Sequence, residues 1–548
     1  MARAMQALRR SGCLLAGLGI AAIAPAAPAR ALQVGIIQQF GRSELERLTL
    51  RAPAGETLTA SFPQRAEPTP LQARKLELKV RWQRLRLPQI RERVVLGERA
   101  TFESAERLAR QWQQRGVETA ITQPDRWQVW AKPQTYGSLL SRRWLLHGLR
   151  QQGYEAPSLQ TRLIQRVPAV ALLTGQGQKR LVGRSPDGGH ANPVLVRIAS
   201  SGDRIRVEPQ GADCPARPYP GELKLQRDSY GSYTLVNAVP LAAYLRGVVP
   251  YEIGADAPQA ALEAQAIIAR TYALRNRRRF AADGYQLCAD VHCQVYRGLA
   301  RTNPRIDRAI AATERQVLTH GNELIDALYS ATTGGVTAEF DDIWNGRNRP
   351  YLEPIVDATQ PVWDLEQRPL ADKQALRQFL ARERGFNESG DSTFRWRRER
   401  SLEALADDLR AYLKASYRQG PDFEQLQALE VTERARSGRV LELVARTDAG
   451  PIVLTKTEIR SALKPPRSTL FYLEPLYASE AQQRLTGYAF VGGGFGHGVG
   501  LSQTGAQTLA RQGWSAERIL AFYYRQTELR RLGGSVALER RQSAATRQ

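Results

Sequence analysis

The chain has only four cysteines among 548 residues, which excludes a scaffold held together by a disulfide framework. Past its first residues it has no apolar run near the roughly 20 residues needed to span a bilayer. Acidic residues are in deficit too. Against 78 Lys and Arg stand 54 Asp and Glu, a formal charge of +24, and such an excess suits polyanionic surroundings: nucleic acid, anionic lipid or an acidic cell wall. The arginines are spread along the chain rather than blocked, so a solvated surface accounts for most of them. What is present in quantity is apolar residues, 42%, which marks a globular chain rather than a disordered one. Its length allows two to four domains.

Residues 1–31 read as a secretory signal. Arg3, Arg9 and Arg10 form a basic start, CLLAGLGIAAIA an apolar core too short to span, and Ala29-Arg30-Ala31 a small-residue cleavage site. Cleavage takes four arginines and no acid, leaving +20, and leaves Cys214, Cys288 and Cys293. The expected mature protein is exported and soluble, in the periplasm or cell envelope, without a transmembrane segment. Export argues against nucleic acid as a partner. In an oxidising compartment Cys288 and Cys293 are able to pair.

Residues 32–90 hold the strand-like VGIIQQF, a polar Pro53–Pro70 stretch and the alternating LELKVRWQRLRL. Over 91–165 the period changes. Strand-like Val94-Val95-Leu96 leads to a helix from about Ser104 to Arg115 ended by Gly116. Strands follow around Glu118–Thr122 and Trp127–Ala131, then a helix from about Ser138 to Gln152 ended by Gly153. LARQWQQRGVE and LLHGLRQQGYE echo one another, so this βαββαβ order predicts a small ferredoxin-like module. Residues 168–245 read as β-rich and 256–345 as a mixed helical core. A polar helical insertion is expected at about 366–430, then strands, a glycine-dense segment and a helix. The charged tail 535–548 reads as disordered.

Four places carry chemistry. Glu252, in VVPYEIG, is a lone acid among apolar neighbours, and burial would raise its pKa into the range of a general acid. The start of the following helix, near Asp256, opposes that by favouring the charged form. Taken alone, a helix-capping or Arg-paired Glu is the commoner outcome. GGGFGHGVGLSQTGA (492–506) centres on His497, with Ser502 and Gln503 beyond. It has neither the G-x-S-x-G of a nucleophile elbow nor the Lys-Ser/Thr of a phosphate loop. Its glycines instead permit close approach of a ligand or another chain segment, and a carbohydrate-lined cleft suits them. LYSATTGGVTAEFDDIW (328–344) offers Ser330 and Thr332 before a Gly-Gly turn. LCADVHCQVYRG (287–298) offers Cys288, His292 and Cys293, which suit zinc or a Cys288–Cys293 disulfide equally.

Taken in order, these blocks resemble the SpoIID/LytB family. The resemblance rests on LVNAVPLAAYLRGVVPYEIG (235–254), AQAIIARTYAL (264–274), LCADVHCQVYRG, YSATTGGVTAEFDDIW (329–344), RSGRV (436–440), GGGFGHGVGLSQTGAQTLARQGW (492–514) and AFYYRQTEL (521–529). Ala260, where many members are acidic, and the long polar stretch before the glycine motif are departures. The resemblance implies an α+β, two-lobed domain over 168–530. It implies an exported lytic transglycosylase that cleaves peptide-free peptidoglycan between N-acetylmuramic acid and N-acetylglucosamine. Glu252 would be its general acid/base, and Gln265, Arg270, Tyr272, Gln294, Tyr296, Ser330, Thr332, His497, Ser502 and Gln503 would line the substrate cleft. Zinc on Cys288, His292 and Cys293 is the implied cofactor. The alternative function is a non-catalytic wall-binding protein that enhances a cell-wall amidase. Residues 91–165 resemble a SPOR domain, a glycan-binding module, through helix placement and ERATFESAERLARQWQQRG.

Overall fold

The computed structural model describes residues 31–43, 46–63, 69–182, 194–210, 215–415, 422–478 and 484–533. The signal segment (all but Ala31), Cys214 and the charged tail lie outside the described residues. The architecture mixes helices with several sheets, as the expected α+β class requires.

Strand formation follows period-2 patterning. In Lys75–Arg99 the leading KLELKV buries Leu76, Leu78 and Val80 and leaves the alternate residues on the other face. The sheet joins stretches that the sequence separates. Leu32–Phe40 runs antiparallel to Tyr233–Val239 and parallel to Leu287–Cys288. Leu58–Ser61 pairs with Val194–Ser200, which pairs with Glu222–Arg227. The N-terminal segment and the β-rich region therefore form common sheets around one large apolar core.

Residues 75–174 follow the order β-α-β-β-α-β. The strand Ser158–Thr174 lies beside Lys75–Arg99, then Trp127–Ala131, then Thr119–Thr122, every neighbour antiparallel. Helix α1, Phe102–Gln114, starts at Thr101, whose hydroxyl accepts from the Ser104 N–H, and the chain leaves it through Gly116 at φ 81°. Helix α2, Leu139–Gln151, starts with a Ser138/Ser141 capping box. Both ends fall within two residues of the pattern-based bounds. This unit is docked, not tethered. Phe102 of α1 meets Trp127 edge-on, and Trp127 packs on Phe280. Glu106 pairs with Arg278 and Glu103 with the buried Arg279.

The stretch expected as a polar insertion is integral to a second lobe. Its helices Lys373–Leu380 and Leu402–Ala415 are amphipathic, burying Leu376, Phe379, Leu405 and Leu409 in two smaller cores. Between them Arg395–Ser401 pairs with Leu485–Gly493, the strand that leads into the glycine motif. Polar residues dominate these helices because only one stripe of each meets a core.

Candidate functional site

Helix α3, Leu241–Val249, cannot continue regularly through Pro250, which lacks the N–H that the helical ladder needs. The chain instead makes a wide π-type turn, Pro250–Gly254, and leaves it through Gly254 at φ 89°. Helix α4 then runs Gln259–Arg275, beginning after Asp256 and Pro258 as expected. Apolar on nearly every side, α4 is the buried axis of the first lobe. Glu252 projects from the turn beside it.

Three donors converge on the Glu252 carboxyl. The Val295 N–H reaches Oε1 at 2.6 Å, and the Tyr329 hydroxyl and the Gln503 side chain complete the set. All three favour the ionised form, yet burial outweighs them and raises the pKa above the usual carboxylate value. The surrounding polar groups lock one another. Tyr244 Oη donates to Gln294 Oε1 at 3.1 Å, Gln294 Nε2 donates to Tyr329 Oη at 3.0 Å, and Gln503 Nε2 reaches Gln265 Oε1 at 3.4 Å. Tyr272 lies close enough for the carboxylate to help raise its own pKa.

Gln265, Tyr272, Gln294 and Gln503 thus gather at Glu252. The other expected cleft residues take framework positions. Arg270 spends its guanidinium on the Gln316 carbonyl (2.9 Å) and Thr313, inside the protein. Tyr296 donates to Asn237 Oδ1 at 2.7 Å within an aromatic cluster with Tyr219 and Tyr244. Ser330 Oγ accepts from the Gly498 N–H at 3.2 Å, and Thr332 Oγ1 accepts from the Phe495 N–H at 2.8 Å. Ser502 caps the helix Gln503–Arg511 and donates to Glu388 at 2.5 Å. His497 is tied into the loop by its ring. Nδ1 accepts from the Val499 N–H at 3.0 Å, and the ring bonds the Tyr329 backbone. Burial and the nearby Arg460 and Arg439 push its pKa down to about 3, so His497 is neutral and holds the loop rather than moving protons.

The glycines of 492–500 are explained by another chain segment. A Cβ on Gly494 would lie 2.8 Å from backbone atoms at Thr333–Gly334, and one on Gly498 would lie 2.1 Å from Arg439 Nη2, with φ already at 75°. The 329–335 segment and the glycine loop pass with no room for side chains.

Three residues at the centre were not singled out from the sequence. Tyr329 lay inside a motif chosen for its hydroxyl and glycine residues. Arg439, fully buried, donates to the Thr333 (2.6 Å) and Val336 (3.1 Å) carbonyls. Glu388 comes from the supposed insertion and is fully buried. It accepts from Thr333 N–H (2.5 Å) and Oγ1 (2.9 Å), Gly334 N–H (2.8 Å), Gly335 N–H (3.0 Å) and Ser502. Burial, then the Glu388 charge, holds the neighbouring Asp357 well above the usual carboxylate range. An acid in a polar stretch far from every motif gives no sequence signal for such a role.

Cys288 and Cys293 are joined as a disulfide. Bonded sulfurs are not thiolates, His292 is exposed, and its N–H is tied to Asp290 at 2.9 Å. Among the described residues no group of three His, Cys, Asp or Glu is placed to hold a metal ion. The arrangement does not fit zinc. It does brace the segment that presents Gln294 and Val295 to the site.

Residues 229–320 match the model of the Stage II sporulation protein family, SpoIID, and 338–500 match a domain of unknown function, DUF8618. Stage II sporulation protein D of Bacillus amyloliquefaciens is 24% identical over 390 residues, 67% of this chain and 92% of that protein. The Amidase enhancer of Bacillus subtilis (strain 168) is 27% identical over 299 residues, 52% of this chain. The match spans 40% of that relative. An uncharacterized protein of Brachyspira hyodysenteriae is 25% identical over 299 residues, 54% of this chain and 68% of its own.

Proposed function

For a chain that carries a SpoIID-family segment with Glu252 inside it, we propose a cell-wall function: lytic cleavage of peptide-free peptidoglycan strands, with Glu252 as the one acid/base. The observation that carries this reading is a carboxyl whose pKa burial raises despite three donors. Protonated, it gives its proton to the glycosidic oxygen as the C1–O bond breaks. As a carboxylate, it then takes the proton of the muramoyl C6 hydroxyl while that oxygen bonds C1, closing the 1,6-anhydro ring. One carboxyl serves both halves. Glycosidases that use water rely on a second carboxylate about 5–9.5 Å away, and none of the forces that shift Glu252 comes from another acid.

The Cys288–Cys293 disulfide supports an exported protein, and among the described residues no helix is long and apolar enough to cross a membrane. The antiparallel order of residues 75–174 supports reading that unit as a ferredoxin-like, SPOR-like module that holds glycan beside the cleft. A second reading, a non-catalytic enhancer of an amidase, draws on the name of the Bacillus subtilis relative. Incubating wild type and Glu252→Gln with peptide-free strands separates the two. Anhydro-muramoyl ends from wild type alone are expected. Product from neither, with a partner amidase stimulated equally by both, would establish the second reading instead.

A further inference from the structure

Buried arginines in this protein mostly satisfy themselves on backbone carbonyls, as Arg270, Arg395 and Arg434 do. Arg460, on the helix Thr457–Ala462, does not. Its Nε is buried without a hydrogen-bond partner, and no carboxylate among the described residues pairs with it. Burial is the only cause acting on its pKa, which it lowers. The residue is not sealed, since part of its surface reaches solvent. Beside it lies Arg439, whose Nε and Nη1 are also buried and unpartnered. Asp342 and Glu388 lie close enough to Arg439 to favour its charge, but among the described residues no acid does so at Arg460, and a desolvated charge without a partner is costly.

Their place matters. Arg460 is close enough to His497 to act on its charge. His497 bonds the backbone of Tyr329, the residue whose hydroxyl bonds Glu252. After this helix the chain runs along the glycine loop, where Arg467 O accepts from the Gly496 N–H at 3.1 Å. Phe495, 47% exposed, stands two residues from His497 and offers a face for a sugar ring. The cation without a carboxylate partner therefore lies on the glycine-loop side of Glu252, linked to it through His497 and Tyr329.

We propose that Arg460, backed by Arg439, is an anion-reading subsite that binds the free lactyl carboxylate of a muramoyl residue stripped of its peptide. The inference rests on the proposed glycan-cleaving function. It adds a physical reason for a preference for peptide-free strands. Amide-linked peptide removes the very charge that the arginine lacks, whereas the bare sugar supplies one carboxylate in each disaccharide for a charge-assisted pair.

The test measures binding, not turnover, in full-length Glu252→Gln protein. The probes are fluorescent peptide-free strands, the same strands with their carboxyls converted to amides, and a chitin oligosaccharide without lactyl groups. The parent should hold the carboxylate strands about 10- to 100-fold more tightly than the amidated ones, the range expected of a charged hydrogen-bonded pair. Adding Arg460→Gln should erase that ratio and leave amidated-strand and chitin binding unchanged, while Arg460→Lys should keep part of it. Equal loss on all probes in Arg460→Gln, or a parent that binds both strand types alike, would overturn the subsite. Failure of the parent to bind any glycan would instead overturn the glycan-cleaving function itself, and the subsite with it.

Discussion

Replacing Tyr329 by Phe removes one of the three donors that hold down the Glu252 pKa. The hydroxyl donates to the carboxyl and accepts from Gln294 Nε2 at 3.0 Å, while the Val295 N–H at 2.6 Å and Gln503 remain. A hydrogen bond to a charged group contributes roughly 1.5–3 kcal/mol, and one pKa unit is about 1.4 kcal/mol. Losing the bond destabilises the carboxylate, so the pKa should rise by about one to two units. The acid then stays protonated to higher pH. In the pH profile of anhydro-muramoyl product release, the alkaline limb should move upward by about that amount. Orphaning the Gln294 amide should also cost about 1–3 kcal/mol of stability, read in urea. Tyr244→Phe is the control, because it too strips a partner from Gln294, at 3.1 Å, without touching the bonds to Glu252. It should lower stability and leave the limb in place. A limb in Tyr329→Phe that stays put or moves down would refute the balance of burial against three donors at Glu252.

Glu252→Gln should be more stable than wild type at neutral pH and equal to it in acid. A raised folded pKa means that the native state holds a proton the unfolded chain has lost, so stability falls as pH climbs from the ordinary value of 4.5 toward the folded one. Urea midpoints across pH 3–8 measure the difference, and a variant less stable throughout would contradict the sign. In Glu388→Gln the new amide would face the Gly334 and Gly335 N–H groups, leaving two buried donors unpaired. That should cost roughly 2–6 kcal/mol, and a loss below about 1 kcal/mol would show that the carboxylate does not hold the crossing. Cys288→Ser with Cys293→Ser should lose about 2 kcal/mol, the value for so short a loop, and slow product release by loosening Val295. Elemental analysis of protein purified without chelator should find no stoichiometric zinc. One zinc per chain with two free thiols would reverse the assignment of the disulfide.

Local signals carried far in this chain. Caps and periodicity at Ser138, Gly116 and Gly153 placed α1 and α2 to within two residues, since helix ends depend on neighbours in sequence. The motif order brought out Glu252, Gln265, Gln294 and Gln503, which share the site because α4 and the loops around it are compact segments. Pairing between distant strands was illegible. Nothing in 32–40 announces 233–239 as its neighbour, so the N-terminal segment looked separate from a sheet in which it lies inside.

By itself the sequence determined which groups are available: one acid in an apolar turn, a glycine loop, two nearby cysteines and a surplus of arginine. Tertiary structure alone decided what they do. Burial overrode three donors at Glu252. The closeness of two backbones explained the glycines, and oxidation of one thiol pair removed the metal ligands. Ser502 went to a buried Glu388 that no motif foretold, and Arg460 was left without an anion. Each of those outcomes depends on desolvation or on contact between residues far apart in the chain, and neither quantity exists until the chain is folded.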